Sequence, residues 1–174
     1  YYPWSAFYYD VMQGAINFDI STFTHPIMYH NFSNPDLMFD DITYNKGATV
    51  LNMLRLYLSE EVFQRCIKEY LDTYKFTSTT TEELITSFEK TSNRRVGKFI
   101  RTWTEESGFP TLSVTKHNNG MRISQKRITP KGESKDEVVW PLQLFFANGK
   151  SVPMEEKEIT LDYFSYVNAG RKSM

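Results

Sequence analysis

The chain has 174 residues, of which 40% are hydrophobic and 16% aromatic, and a formal net charge of -1. That is enough apolar material for one ordinary domain or two small ones, which excludes a disordered chain, and the near-neutral charge gives no field for nucleic acid or an anionic membrane. One cysteine, Cys66, excludes an internal disulfide and favours a reducing, cytoplasmic compartment.

No apolar run approaches the about 18 residues of a membrane span. The opening stretch YYPWSAFYYD has no basic segment and no small-residue cleavage site, so it is not a signal peptide. The chain starts without Met, and both ends are expected to be cut from something longer.

The first predicted element covers about 3 to 19. Phe7, Val11, Ala15 and Phe18 share a helical face there, and Pro3 suits the first turn. An irregular stretch follows around Pro26 and Pro35. A long helix is then expected from Thr43 to Leu58, with Val50, Leu51, Leu54 and Leu58 on one face. Ser59 is a plausible N-cap for a helix over 60–74, whose Val62, Phe63, Cys66, Ile67, Tyr70, Leu71 and Tyr74 form a broad buried stripe. Thr80 with Glu83 is a capping box, opening a shorter helix with Leu84, Ile85 and Phe88 toward the core. The last helix, 94–106, uses Val96, Phe99, Ile100 and Trp103, and stops at Gly108.

Beyond Pro110 the period falls to two. Leu112 and Val114 alternate with polar residues. Asn118-Asn119-Gly120 and Asn148-Gly149 are hairpin turns, and Pro141 demands an edge or a bulge. The chain therefore reads as α+β in two successive parts. A helical part occupies 1–108, and an antiparallel β part, one portion of a sandwich, occupies 109–174.

The reactive residue types offer little on their own. His25 and His30 lie five apart around Pro26, a poor spacing for helical metal ligands, and His117 is distant in the sequence. Asp40 and Asp41 suit a helix N-terminus, where negative charge is favoured, and neither has a partner in view for general-base work. Cys66 sits on an apolar stripe as a small hydrophobe. Arg94-Arg95 reads as a solvated face, and the chain holds no phosphate loop and no G-x-S-x-G. Tyr44, at a helix entrance, is either a packing residue whose hydroxyl finds a partner or a catalytic group.

The stretch FDDITYNKGATVLNML, residues 39–54, closely resembles the zinc aminopeptidases of the aminopeptidase N and tricorn-interacting aminopeptidase family, which are gluzincins. Three further segments agree in order and spacing. Thr24-His25-Pro26-Ile27 resembles that family's S/T-H-P-I/V. Residues 57–63, YLSEEVF, resemble Y-L-G/S-E-E-x-F. Residues 103–110, WTEESGFP, resemble W-T-x-Q-x-G-F-P, with Glu106 in place of the usual Gln.

The resemblance implies the helical end of a thermolysin-like catalytic domain followed by a β-sandwich truncated at its last strand. It also implies a parent enzyme that removes N-terminal residues from peptides, with peptides as its partners. Its catalytic residue in this chain is Tyr44, whose position corresponds to the family's oxyanion-stabilising tyrosine. The family's H-E-x-x-H zinc motif and G-A-M-E-N stretch are absent and are expected before residue 1. The resemblance therefore implies zinc in the parent, with no metal or cofactor ligand in the fragment. The fragment alone is expected to be inactive and to self-associate through exposed apolar surface. The alternative is a non-catalytic scaffold of the same fold.

Overall fold

The computed structural model describes residues 3–29, 36, 39–129, 132–133, 137–162 and 166. His30 lies outside them, as do Asn31-Phe32-Ser33, a triplet that fits the N-glycosylation pattern, and Asn168-Ala169-Gly170-Arg171, a segment that in the resembled family leads into a further strand. The chain divides into two compact units. One comprises Tyr1–Asp19 with Phe23–Ser107, and the other comprises Ile20–Thr22 with Gly108–Met174.

The first unit is helical. Helix α1 (Pro3–Ala6) runs through a π-helical stretch (Phe7–Met12) into α2 (Gln13–Asp19). The inward positions are Phe7, Val11, Ala15 and Asp19, a steady spacing of four. Phe18, the last position of the expected face, is half-buried, as Phe7 and Val11 are.

A second π-helical turn (Ile42–Lys46) leads into α3 (Gly47–Leu58). Val50, Leu54 and Leu58 are buried on one face, as their spacing of four predicts. Leu51 departs from the expectation at 43% exposure, because it lies off that line and looks into an open hollow.

Helix α4 (Glu60–Tyr74) packs on α5 (Thr81–Ser92). Its apolar stripe is less buried than the sequence suggests. Cys66 is fully buried, whereas Leu71 is 58% exposed. Helices α5 and α3 pack against α4 and leave the side that carries Leu71 open.

Ser59 does not cap α4 with its side chain. It holds φ 80° and ψ 154°, a conformation that turns the chain sharply between α3 and α4 and is otherwise almost confined to glycine. Thr80 and Glu83 form the expected reciprocal capping box of α5. That helix ends on Asn93 in the left-handed region, so α6 (Gly97–Glu105) starts later than the sequence suggests. Val96, Phe99, Ile100 and Trp103 line its buried side.

The second unit consists of antiparallel strands. Strand β1 (Phe109–His117) pairs with β2 (Gly120–Thr129) through a two-residue Asn118-Asn119 turn. The other edge of β2 pairs with β3 (Gly132–Glu133) and with β6 (Glu158–Asp162). Strands β4 (Leu142–Phe145) and β5 (Ser151–Met154) form a separate hairpin around Asn148-Gly149, with Gly149 at φ 82°. Pro141 sits just before β4, where it costs no ladder bond.

Met121, Ile123, Met154 and Leu161 make one core, to which Leu142, Leu144 and Val152 add, so both sheets contribute to it. Gln125 is buried with its amide satisfied. Its Nε2 donates to the Trp140 and Glu156 carbonyls, and its Oε1 accepts the Trp140 N–H. A Cβ on Gly120 would stand 2.1 Å from the Leu161 carbonyl oxygen, so the β2–β6 contact admits glycine alone at that position.

Candidate active-site tyrosine and its supports

Tyr44 lies in the middle of the π turn that opens α3. Two buried residues bracket it. Ile42 is fully buried, and Lys46 is 4% exposed. Residues four apart face the same way along a helix, and the residue midway between them faces the opposite way. Burial of Ile42 and Lys46 therefore turns Tyr44 outward. It is 56% exposed, its ring stacks on Phe39 at a centroid distance of 6.0 Å, and its hydroxyl has no hydrogen-bond partner among the described residues.

The turn is pinned at both ends. Lys46 Nζ pairs with Asp19 Oδ2 at 3.0 Å and donates to the Glu106 carbonyl at 3.1 Å, and Thr24 Oγ1 donates to Asp19 Oδ1 at 2.5 Å. Deleting either member of a buried pair strands the other charge, at a cost of ~3–5 kcal/mol. This contact ties α2, the π turn and the end of α6 together.

At the front of the turn, Asp40 Oδ1 accepts the Thr43 N–H at 2.8 Å, and its Oδ2 lies 2.6 Å from His25 Nε2. His25 Nδ1 stands 2.7 Å from the Pro26 carbonyl oxygen. Burial pushes the Asp40 carboxyl up, but the Thr43 N–H and the His25 ring together outweigh it and hold the group below the usual carboxylate value. Asp41 Oδ1 accepts from the Asn45 side-chain amide at 2.6 Å.

An apolar hollow of about 360 Å3 opens beside Tyr44, lined by Ile27, Thr43, Gly47, Ala48, Leu51 and Ile100, among others. Gly47 has ordinary helical angles, and a Cβ there would meet nothing within 4 Å. Neither backbone nor packing among the described residues asks for glycine.

Sequence reasoning found Tyr44 but missed the partnership of His25 with Asp40. The Thr24-His25-Pro26-Ile27 match, with Asp40 fifteen residues after the histidine, was the available signal. Cys66 is buried as expected, and its burial pushes the thiol up, away from nucleophilic use. Among the described residues no three His, Cys, Asp or Glu gather as metal ligands, so they do not fit a zinc site. None of the described helices is long and apolar enough to cross a membrane.

The sequence profile of the Peptidase family M1 domain matches residues 2–103. The chain belongs to peptidase family M1. Its similarity to curated family members runs through both units. It is 31% identical over 170 residues to probable aminopeptidase 2 of Sulfurisphaera tokodaii, covering 95% of this chain and 22% of that protein. It is 29% identical over 168 residues to the alanine/arginine aminopeptidase of Saccharomyces cerevisiae, covering 91% of this chain and 20% of that protein. It is 30% identical over 161 residues to tricorn protease-interacting factor F2 of Thermoplasma volcanium, covering 90% of this chain and 20% of that protein. The M1 chain thus spans about a fifth of the length of these relatives.

Proposed function

We propose that this M1 chain is part of a zinc-dependent, cytoplasmic aminopeptidase that removes N-terminal residues from peptides, and that Tyr44 donates a hydrogen bond to the oxyanion of the tetrahedral intermediate. In this reading residues 1–108 are the helical C-terminal part of the catalytic domain, and residues 109–174 belong to a β-sandwich. The zinc ligands and general base lie elsewhere in the parent, and the 174-residue chain alone is inactive.

The observation that carries the reading is the state of Tyr44 in a chain whose relatives include proteins named aminopeptidases. Its hydroxyl is unengaged among the described residues, while the turn bearing it is fixed by the Lys46–Asp19 ion pair on one side and by the Asp40 contacts to Thr43 and His25 on the other. A buried, satisfied hydroxyl would point to a packing role. Gly47 adds support. A helical glycine costs ~0.5–1 kcal/mol relative to alanine, and the open space beside it gives a reason to keep it clear.

When water adds to the peptide carbonyl carbon, negative charge gathers on the carbonyl oxygen. A hydroxyl donor already in place strengthens its bond as that charge grows, so it stabilises the transition state more than the bound substrate. Tyr44→Phe in the full-length protein removes this donor alone. We expect kcat to fall about 10²–10³-fold, with KM and zinc content nearly unchanged. Turnover close to wild type would return Tyr44 to a structural role.

A further inference from the structure

The Asp40 carboxylate touches two things at once. One oxygen holds the N–H of Thr43, the residue directly before Tyr44. The other faces His25 Nε2. The Pro26 carbonyl can only accept, so His25 Nδ1 carries a hydrogen toward it. Asp40 is ionised at neutral pH, since its carboxyl sits below the usual value. Its second oxygen and His25 Nε2 stand 2.6 Å apart, within hydrogen-bond distance. The result is a chain of contacts from the Pro26 backbone through His25 and Asp40 to the Thr43 N–H of the Tyr44 turn.

This chain does work that the Lys46–Asp19 pair cannot. Lys46 fixes the turn after Tyr44, from the buried side. Asp40 fixes it before Tyr44, by capping the N–H one peptide away. With only one end held, the phenol could swing on the turn. With both held, the backbone that carries the phenol is fixed on either side of Tyr44.

We propose that Asp40, held by His25, is a positioning residue that aims the Tyr44 hydroxyl. The inference rests on the reading of Tyr44 given above.

The test is a double-mutant cycle in the full-length protein. Asp40→Ala removes both contacts, and a small misplacement of a catalytic group lowers turnover by about 10–10²-fold. We expect that loss in kcat, with KM and zinc content nearly unchanged. Asp40→Asn keeps an oxygen for the Thr43 N–H and a polar group facing the His25 ring, so it should recover most of the activity. In the Tyr44→Phe background Asp40→Ala should lower kcat no further, because there is no hydroxyl left to aim.

Multiplicative losses in the double variant, or wild-type kcat in Asp40→Ala, would overturn the positioning role while leaving Tyr44 as donor. If Tyr44→Phe alone keeps wild-type kcat, the donor reading fails first and this inference fails with it. Should Asp40→Ala not fold, His25→Ala replaces it in the cycle. It is expected to show a smaller loss that likewise vanishes in the Tyr44→Phe background, and a loss that persists there would overturn the proposal.

Discussion

At the scale of single residues, Asp40 links stability to the Tyr44 turn. Its carboxyl is held below the usual value in the folded state, so folding is favoured by its ionised form. The sign follows from linkage. The contribution is complete above the unfolded-state value of about 3.9 and is lost as the pH falls through the lower folded-state value. Thermal unfolding of Asp40→Asn between pH 7 and pH 2 should therefore show a shallower loss of Tm below about pH 4 than the wild type. Parallel acid limbs would contradict it. Composition and spacing could not show this partnership, because His25 and Asp40 lie fifteen residues apart and on no common helix or strand. The same is true of Lys46 with Asp19 and the Glu106 carbonyl, which are far apart in sequence. Tyr44 was legible for a different reason: a run of matched residues around it carries the resemblance, whereas local physics alone left its role open.

At the scale of elements, periodicity located the helices and hairpins well where burial is one-sided. Val50, Leu54 and Leu58 on α3, Ile85 and Phe88 on α5, and the Thr80–Glu83 box all sit where their spacing places them. It failed where geometry departs from the α period. The π turns at Phe7–Met12 and Ile42–Lys46 leave no mark in residue type, and Leu71 on α4 is apolar yet exposed. Ser59 does occupy the N-cap position of α4 that the sequence assigns it, but without a side-chain cap bond, and its backbone carries the demand instead. That conformation costs an L-residue of order 1–3 kcal/mol. Ser59→Gly should therefore raise stability by about 1 kcal/mol in urea unfolding, with the m-value unchanged, once the greater freedom of glycine in the unfolded chain is set against the relief. A destabilised variant would show that the Ser59 side chain makes a contact worth more than the backbone strain.

At the scale of the whole molecule, the M1 chain is a helical unit and a strand unit. The helical unit presents apolar side chains that its own elements do not cover. Leu51 opens into the hollow beside Tyr44, Phe39 is 70% exposed, and Phe76 stands fully out of the surface. Exposed apolar patches of this kind drive association. The isolated 174-residue chain should bind a hydrophobic dye and sediment as more than a monomer, and a dye-silent monomer would count against apolar surfaces that a longer protein covers. The central claim concerns a charge that exists only at the tetrahedral stage, so the most direct measurement compares two ligands of the full-length protein. One is a phosphinic peptide that mimics the tetrahedral intermediate, and the other is the free amino-acid product. If Tyr44 is the oxyanion donor, Tyr44→Phe weakens the phosphinic peptide about 10²-fold or more and leaves the Kd of the product unchanged; equal affinity of wild type and variant for the phosphinic peptide would contradict the account.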